Sequence, residues 1–73
     1  MNFSQIIALC KMFTAMTEPN FRSQITRADF DLACEALKSM ADNTNTWSNY
    51  DKERYKALVD FVKEIAKSNN YQV

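Results

Sequence analysis

The sequence of 73 residues contains no histidine and no glycine. Without histidine, the chain lacks the side chain most suited to general acid–base chemistry near neutral pH and most often used to bind metals. Without glycine, it lacks phosphate-binding glycine loops and the glycine fingerprint of dinucleotide sites. We therefore expect a protein that is not an enzyme, has no small-molecule substrate and carries no cofactor or metal.

The chain also lacks net charge, because nine basic side chains balance nine acidic ones. Proteins that bind nucleic acids gain much of their affinity by neutralising phosphates with an excess of basic side chains. The composition therefore weighs against a nucleic-acid partner, and equally against a mimic of DNA, which would be strongly acidic.

Cysteine is scarce, and the start of the chain shows no secretory signal. Cys10 and Cys34 each fall on the apolar face of a predicted helix, where a cysteine behaves as a small buried hydrophobe. No basic segment or small-residue cleavage site accompanies the first apolar run, and this run is shorter than the ~20 residues that span a membrane. We expect a cytoplasmic protein with reduced thiols and no membrane partner.

Hydrophobic periodicity predicts one all-α domain, a small three-helix bundle covering residues 1–73. The helices are expected at about 3–16, 27–41 and 50–68. Pro19 stops the first because it lacks a backbone donor, and Thr26 with Asp29 forms a near capping box for the second. Phe21 and Ile25, in the link between these helices, are expected to fold onto the core. The tail 69–73 has no periodicity and is expected to fray.

The segment 42–53 resembles a calcium-binding loop in length and in its acidic first and last residues. Its third and fifth positions are Thr44 and Thr46, which are poor ligands, and Trp47 occupies the position where the sharp turn requires glycine. We interpret the segment as a polar connection between helices, not as a metal site.

The first helix is unusual because apolar side chains cover most of its circumference. Lys11 is the only charged side chain in the first seventeen residues. At about 100° per residue, the apolar positions span an arc of roughly 240°, whereas a surface helix needs only ~100° or somewhat more. The arc comprises Met1, Phe3, Ile6, Ile7, Leu9, Cys10, Met12, Phe13 and Met16.

Two amphipathic neighbours can cover only about half of such a helix, so a partner is expected on the remainder. A chain this short has a small core and gains stability from an additional interaction such as oligomerisation. A two-fold dimer in which the first helix packs on its copy is the simplest arrangement. The residues predicted at this interface are Leu9, Met12, Phe13 and Met16, with Met1 beside them.

Trp47 and Tyr50 have two interpretations, which the residues leave open. Trp47 can close one end of the bundle, with its indole N–H bonded to a carbonyl group or water. Alternatively, it anchors a partner together with Tyr50, since both residue types are enriched at interface hot spots.

The function predicted from these features is a small non-catalytic regulator or inhibitor that occludes or bridges a protein target as a homodimer. By analogy, such a free-standing chain is compatible with an origin in a phage or another mobile element. The alternative is a helix-turn-helix-like nucleic-acid binder with a patch formed by Arg22, Arg27, Lys52 and Lys56. That motif joins its helices by a turn of 3–4 residues, and both connections here are expected to be longer.

Overall fold

The computed structural model describes residues 1–71, which form three α-helices joined through two 3₁₀ segments, with no strand in that range. The helices are α1 (Phe3–Thr17), α2 (Arg27–Ala41) and α3 (Asn49–Asn69), and the 3₁₀ segments are Pro19–Gln24 and Thr44–Thr46. The helices pack into a compact bundle. The predicted all-α bundle is therefore confirmed, and its helix boundaries agree with the predicted ones to within one residue.

Each helix begins at a polar side chain that accepts a hydrogen bond from the first turn. The Asn2 side chain accepts from the backbone N–H of Gln5 at 2.9 Å, and the Gln5 side chain accepts from the N–H of Asn2 at 3.0 Å. Thr26 and Asp29 form the same reciprocal capping box on α2, and Ser48 caps α3. A cap of this kind contributes about 1 kcal/mol, which explains why the helix starts could be predicted.

The core lies where the three helices meet, and small side chains bring α1 close to α2. Ala8 and Ala15 of α1 and Ala33 and Ala36 of α2 are all fully buried. Alanines on facing helices let the two backbones approach closely, because ridges on one helix then fit shallow grooves on the other. The largest fully buried side chains are Phe30, Met12, Leu58 and Ile65.

The link between α1 and α2 follows the prediction only in part. Ile25 is buried as expected, but Phe21 leaves 36% of its surface exposed. The 3₁₀ segment that begins at Pro19 holds Phe21 at the surface beside α1. The expectation that Phe21 folds onto the core is therefore wrong.

Helix α3 ends at a residue whose backbone adopts the left-handed conformation. Asn70 has φ of 58°, a conformation that asparagine tolerates better than most residues. The backbone N–H groups of Asn70 and Tyr71 both donate to the carbonyl oxygen of Ala66, the latter at 2.8 Å. This closure is typical of helix C-termini and turns the chain back toward the bundle.

Because of that turn, Tyr71 packs against the core. Its hydroxyl donates to the carbonyl oxygen of Ile25 at 3.2 Å, and its ring centroid lies 5.2 Å from that of Phe30. The prediction of a frayed tail is therefore wrong for residues 69–71. Tertiary contacts hold Tyr71 against the core, although the sequence there has no helical periodicity. The rest of the predicted tail, residues 72–73, lies outside the described residues.

Removing the Tyr71 contacts is expected to lower the stability of the whole bundle. Tyr71→Phe deletes the hydrogen bond to Ile25 and should reduce the free energy of unfolding by about 1 kcal/mol. Tyr71→Ala also deletes the ring contact and should cost about 2–3 kcal/mol. Urea unfolding followed by circular dichroism measures both, and equal stability of the wild type and Tyr71→Ala would contradict the packed tail.

Candidate functional site

Helix α1 presents apolar side chains on two opposite sides. The inward side is part of the core and contains Ala8, Leu9, Met12 and Ala15. The other side, here called the outward stripe, contains Phe3, Ile6, Ile7, Cys10 and Phe13. At about 100° per residue, each side spans an arc of roughly 120°, and the two arcs are centred roughly 160° apart.

The outward stripe is substantially exposed. The exposed fraction is 75% for Phe3, 45% for Ile6 and 41% for both Ile7 and Phe13. These residues recur at spacings of three and four, the pattern by which one helix packs along another. The prediction that two neighbours leave part of the α1 arc uncovered is therefore confirmed.

The predicted choice of uncovered residues is wrong for Leu9 and Met12. Leu9 retains 8% of its surface and Met12 none, and Met16 is half-buried against the core. Phe13 is exposed as predicted. The width of an apolar arc predicts that part of the helix stays uncovered but not which side, because packing against the other helices determines which part of α1 turns inward.

Two threonines extend the stripe toward the C-terminal end of α1. The Thr14 hydroxyl donates to the carbonyl oxygen of Cys10 at 3.0 Å, and the Thr17 hydroxyl donates to the carbonyl oxygen of Thr14 at 3.0 Å. Both hydroxyl donors are thus used within the helix, and both side chains are exposed. A threonine bonded in this way can offer its methyl group to a partner with little loss of hydrogen bonding.

Lys11, the only charged side chain of α1, lies outside the stripe and is paired. Its ammonium nitrogen lies 3.1 and 3.3 Å from the two carboxylate oxygens of Asp29, a buried residue. Burial opposes ionisation of Asp29, but hydrogen bonds from Thr26 and Lys11 outweigh it and hold the pKa of this carboxyl below its ordinary value. The outward stripe itself therefore carries no charged side chain.

The lowered pKa of Asp29 predicts a specific pH dependence of stability. Its unfolded-state value is ~3.9, so the stabilisation is present above that pH and is lost as the pH falls through the lower folded-state value. We expect Asp29→Asn to cost about 1–3 kcal/mol at neutral pH and much less in acid. Urea unfolding of both proteins at neutral and acidic pH measures this, and a difference that does not change with pH would contradict it.

A groove runs along one side of the outward stripe, between α1 and the first 3₁₀ segment. It encloses about 320 Å³, and Phe21 forms part of its outer wall. Its lining consists of Ile7, Cys10, Lys11, Thr14, Phe21, Gln24 and Ile25. Apolar surface thus continues from α1 onto the neighbouring segment.

A second groove of about 260 Å³ lies at the other side of the stripe, where α1 meets the loop before α3. It brings together two of the residues predicted at an interface, Phe13 and Trp47. Trp47 is half-buried and lies edge-on to Tyr55, with ring centroids 5.2 Å apart. The full lining is Phe13, Met40, Trp47, Asp51, Arg54, Tyr55 and Leu58.

Tyr50, the remaining predicted interface residue, stands apart from this groove with 68% of its surface exposed. Trp47 packs on Tyr55, whose hydroxyl donates to the carbonyl oxygen of Leu37 at 2.9 Å, and it also lines the groove. The role of Trp47 and Tyr50 as anchors for a partner stays a prediction.

Phe3, Ile6, Ile7 and Phe21 are surface residues that the predicted interface left out. The signal for the first three was present, since positions 3, 6, 7, 10, 13, 14 and 17 repeat at helical spacing. Phe21 carried no periodic signal because it belongs to a 3₁₀ segment.

The two cysteines differ in their exposure to solvent. Both thiols are free; Cys10 is exposed on the outward stripe, and Cys34 is half-buried. The expectation that both are buried is therefore wrong for Cys10. Burial raises the pKa of the Cys34 thiol, and the nearby Asp31 carboxylate acts in the same direction.

The four basic residues named for a nucleic-acid patch, Arg22, Arg27, Lys52 and Lys56, do not lie together. Arg22 lies 3.6 Å from Glu64 and stacks over the Phe61 ring at 5.1 Å, so it lies beside the C-terminal half of α3. Lys56 precedes Glu64 by eight residues, which corresponds to roughly 12 Å along the helix, and Lys52 lies farther still. Arg27 packs against Tyr71, also at that end of the bundle.

Residues 1–71 contain neither a metal-binding cluster nor a helix that could span a membrane. In this range, no group of three histidine, cysteine, aspartate or glutamate side chains is placed to hold a metal ion. No helix there has the length and apolar character needed to cross a bilayer.

Comparisons of the chain with protein-family models, with curated protein sequences and with solved structures find no match.

Proposed function

We propose that this chain is a non-catalytic protein-binding module, a small regulator or inhibitor that acts as a homodimer and occludes or bridges a protein target. The observation that supports this most strongly is the outward stripe of α1, an uncharged row of large apolar side chains on the face opposite the core. Leaving such a row in water is unfavourable, and a partner that covers it gains the corresponding hydrophobic free energy.

The size of the exposed surface fits this function. Its four large side chains, Phe3, Ile6, Ile7 and Phe13, expose between 41% and 75% of their surface, or together roughly 400 Å². A patch of this size is comparable with the largest apolar patch of a typical monomer, roughly 300–600 Å², which often has a function. With the groove between α1 and the first 3₁₀ segment, the contact comes nearer to the lower end of stable interfaces, roughly 600–800 Å² per partner.

A dimer formed through α1 leaves other surfaces free for a target. Trp47, at the far wall of the second groove, and the exposed Tyr50 are the residues we propose as target anchors. Because a two-fold dimer carries each surface twice, one dimer can bridge two targets. The two free thiols fit a reducing compartment, so we propose a cytoplasmic location for this dimer.

The nucleic-acid-binding alternative has less support. Its proposed patch divides between distant parts of the bundle, and Arg22 is paired with Glu64. Retention of labelled DNA or RNA at low salt, weakening steeply as salt is added, would reverse this preference.

Sedimentation velocity over a range of concentrations tests the proposed function. We expect monomer at low micromolar concentration and dimer at several hundred micromolar, since an uncharged interface of modest size gives moderate affinity. A monomer throughout this range would overturn the homodimer.

A further inference from the structure

We propose that α1 pairs with α1 of a second copy in an antiparallel arrangement, about a two-fold axis that passes beside Cys10. This inference rests on the proposed function, because it names the occupant of the outward stripe and its orientation. It is drawn from the position, size and charge of the side chains along α1.

The stripe is symmetric in position about its central residue. It runs from Phe3 to Thr17, and Cys10 lies midway between them. An antiparallel two-fold axis at Cys10 places Phe3 of one copy against Thr17 of the other. On one side of the axis Phe13 meets Ile6 of the other copy.

On the opposite side of the axis, Ile7 of each copy meets Thr14 of the other. Thr14 also lines the groove formed with Phe21. The side chain of Ile7 from the second copy therefore has an apolar recess beside it. Interfaces of this isologous kind use the same patch on both subunits, as the pairing requires.

Side-chain size favours this orientation over a parallel one. The N-terminal half of the stripe carries Phe3, Ile6 and Ile7, whereas the C-terminal half ends in Thr14 and Thr17. Antiparallel pairing puts Phe3 against Thr17 and Ile7 against Thr14, so that large side chains meet small ones at these two contacts and space is filled evenly. Parallel pairing would press Phe3 on Phe3 and leave the threonines facing one another.

The charges around the stripe are compatible with a second copy as the occupant. A surface that meets itself suffers repulsion if it carries charge, and this stripe carries none. Lys11, its only charged neighbour on the helix, is bound to Asp29. Antiparallel helices also place the positive end of one macrodipole near the negative end of the other.

The first test is disulfide formation through Cys10. In a Cys34→Ala variant, diamide takes two electrons and two protons from two thiols and leaves a disulfide. We expect Cys10 to cross-link two copies at least about tenfold faster than a control, because the dimer holds the thiols at a high effective concentration. The control is Cys10→Ser with Cys34→Ala and Ser39→Cys, which places an exposed thiol on α2.

The second test determines orientation in the Cys10→Ser, Cys34→Ala background. Phe3→Cys and Thr17→Cys are made separately and oxidised alone and as a mixture. The antiparallel pair predicts a cross-link between the two different chains in the mixture and little within either pure sample. Rapid cross-linking of Phe3→Cys to itself would overturn the antiparallel arrangement in favour of a parallel one.

The outcomes separate this inference from the proposed function. If sedimentation shows a dimer but Cys10 cross-links no faster than the Ser39→Cys control, the register is wrong and the homodimer stands. If sedimentation shows only monomer, both proposals are overturned.

Discussion

Replacing Ile6 with glutamate is expected to dissociate the homodimer and leave the chain folded. Ile6 already exposes 45% of its surface, so a carboxylate at this position remains in water in the monomer. In the dimer the same carboxylate would be buried against apolar side chains at both symmetry-related positions, and each burial is costly. We expect the dissociation constant to rise by roughly 100-fold or more, equivalent to about 3 kcal/mol.

Sedimentation equilibrium measures this change, and Ser4→Glu provides the matched control. Ser4 is exposed in the first turn of the same helix but lies outside the outward stripe. It therefore introduces the same charge without entering the proposed contact. If Ile6→Glu and Ser4→Glu associate equally well, the outward stripe is not the interface.

Replacing Met12 is expected to have the opposite consequence, loss of the fold. Met12 is fully buried among the largest core side chains, and Met12→Ala should lower the free energy of unfolding by about 2–5 kcal/mol. A domain of this size has about 4–11 kcal/mol in total. Met12→Glu, which places an unpaired charge in the core, should therefore leave the chain largely unfolded.

Circular dichroism distinguishes this outcome from a change in association. The helical signal should be retained in Ile6→Glu and largely lost in Met12→Glu. A folded monomer carrying Met12→Glu would show that Met12 faces a partner, as the sequence pattern had indicated, and would contradict the inward position of this residue.

The helix boundaries could be predicted because local residues determine them. Thr26 and Asp29 form the capping box at the start of α2, and Pro19 follows the end of α1. These signals act within a few residues and need no knowledge of packing. The all-α bundle follows from three such segments with helical hydrophobic spacing.

The direction in which α1 faces could not be predicted, because it depends on other helices. The hydrophobic pattern of α1 alone does not show which part of its apolar arc faces the core, because this depends on where the neighbouring helices pack. Ala8 and Ala15 of α1 and Ala33 and Ala36 of α2 are fully buried, and α1 packs most extensively against α2. Small residues give weak hydrophobic signals, so the importance of this contact was not visible from the sequence.

The packing of Tyr71, at the other end of the chain, could not be predicted from the sequence for the same reason. Its partners, Ile25 and Phe30, are distant in sequence, so no periodic pattern connects them. The left-handed Asn70 that redirects the backbone is a local feature, but two consecutive asparagines are equally compatible with a disordered end. Contacts of this kind are found only when the fold is known.

Isotope-filtered NMR on a mixture of labelled and unlabelled chains tests the pairing of α1 most directly, because it detects only contacts between copies. At a concentration where the dimer forms, we expect intermolecular contacts between the side chains of Ile6 and Phe13 and between the two copies of Cys10. Contacts that instead involve only α2 or α3, or the absence of any contact between copies, would contradict it.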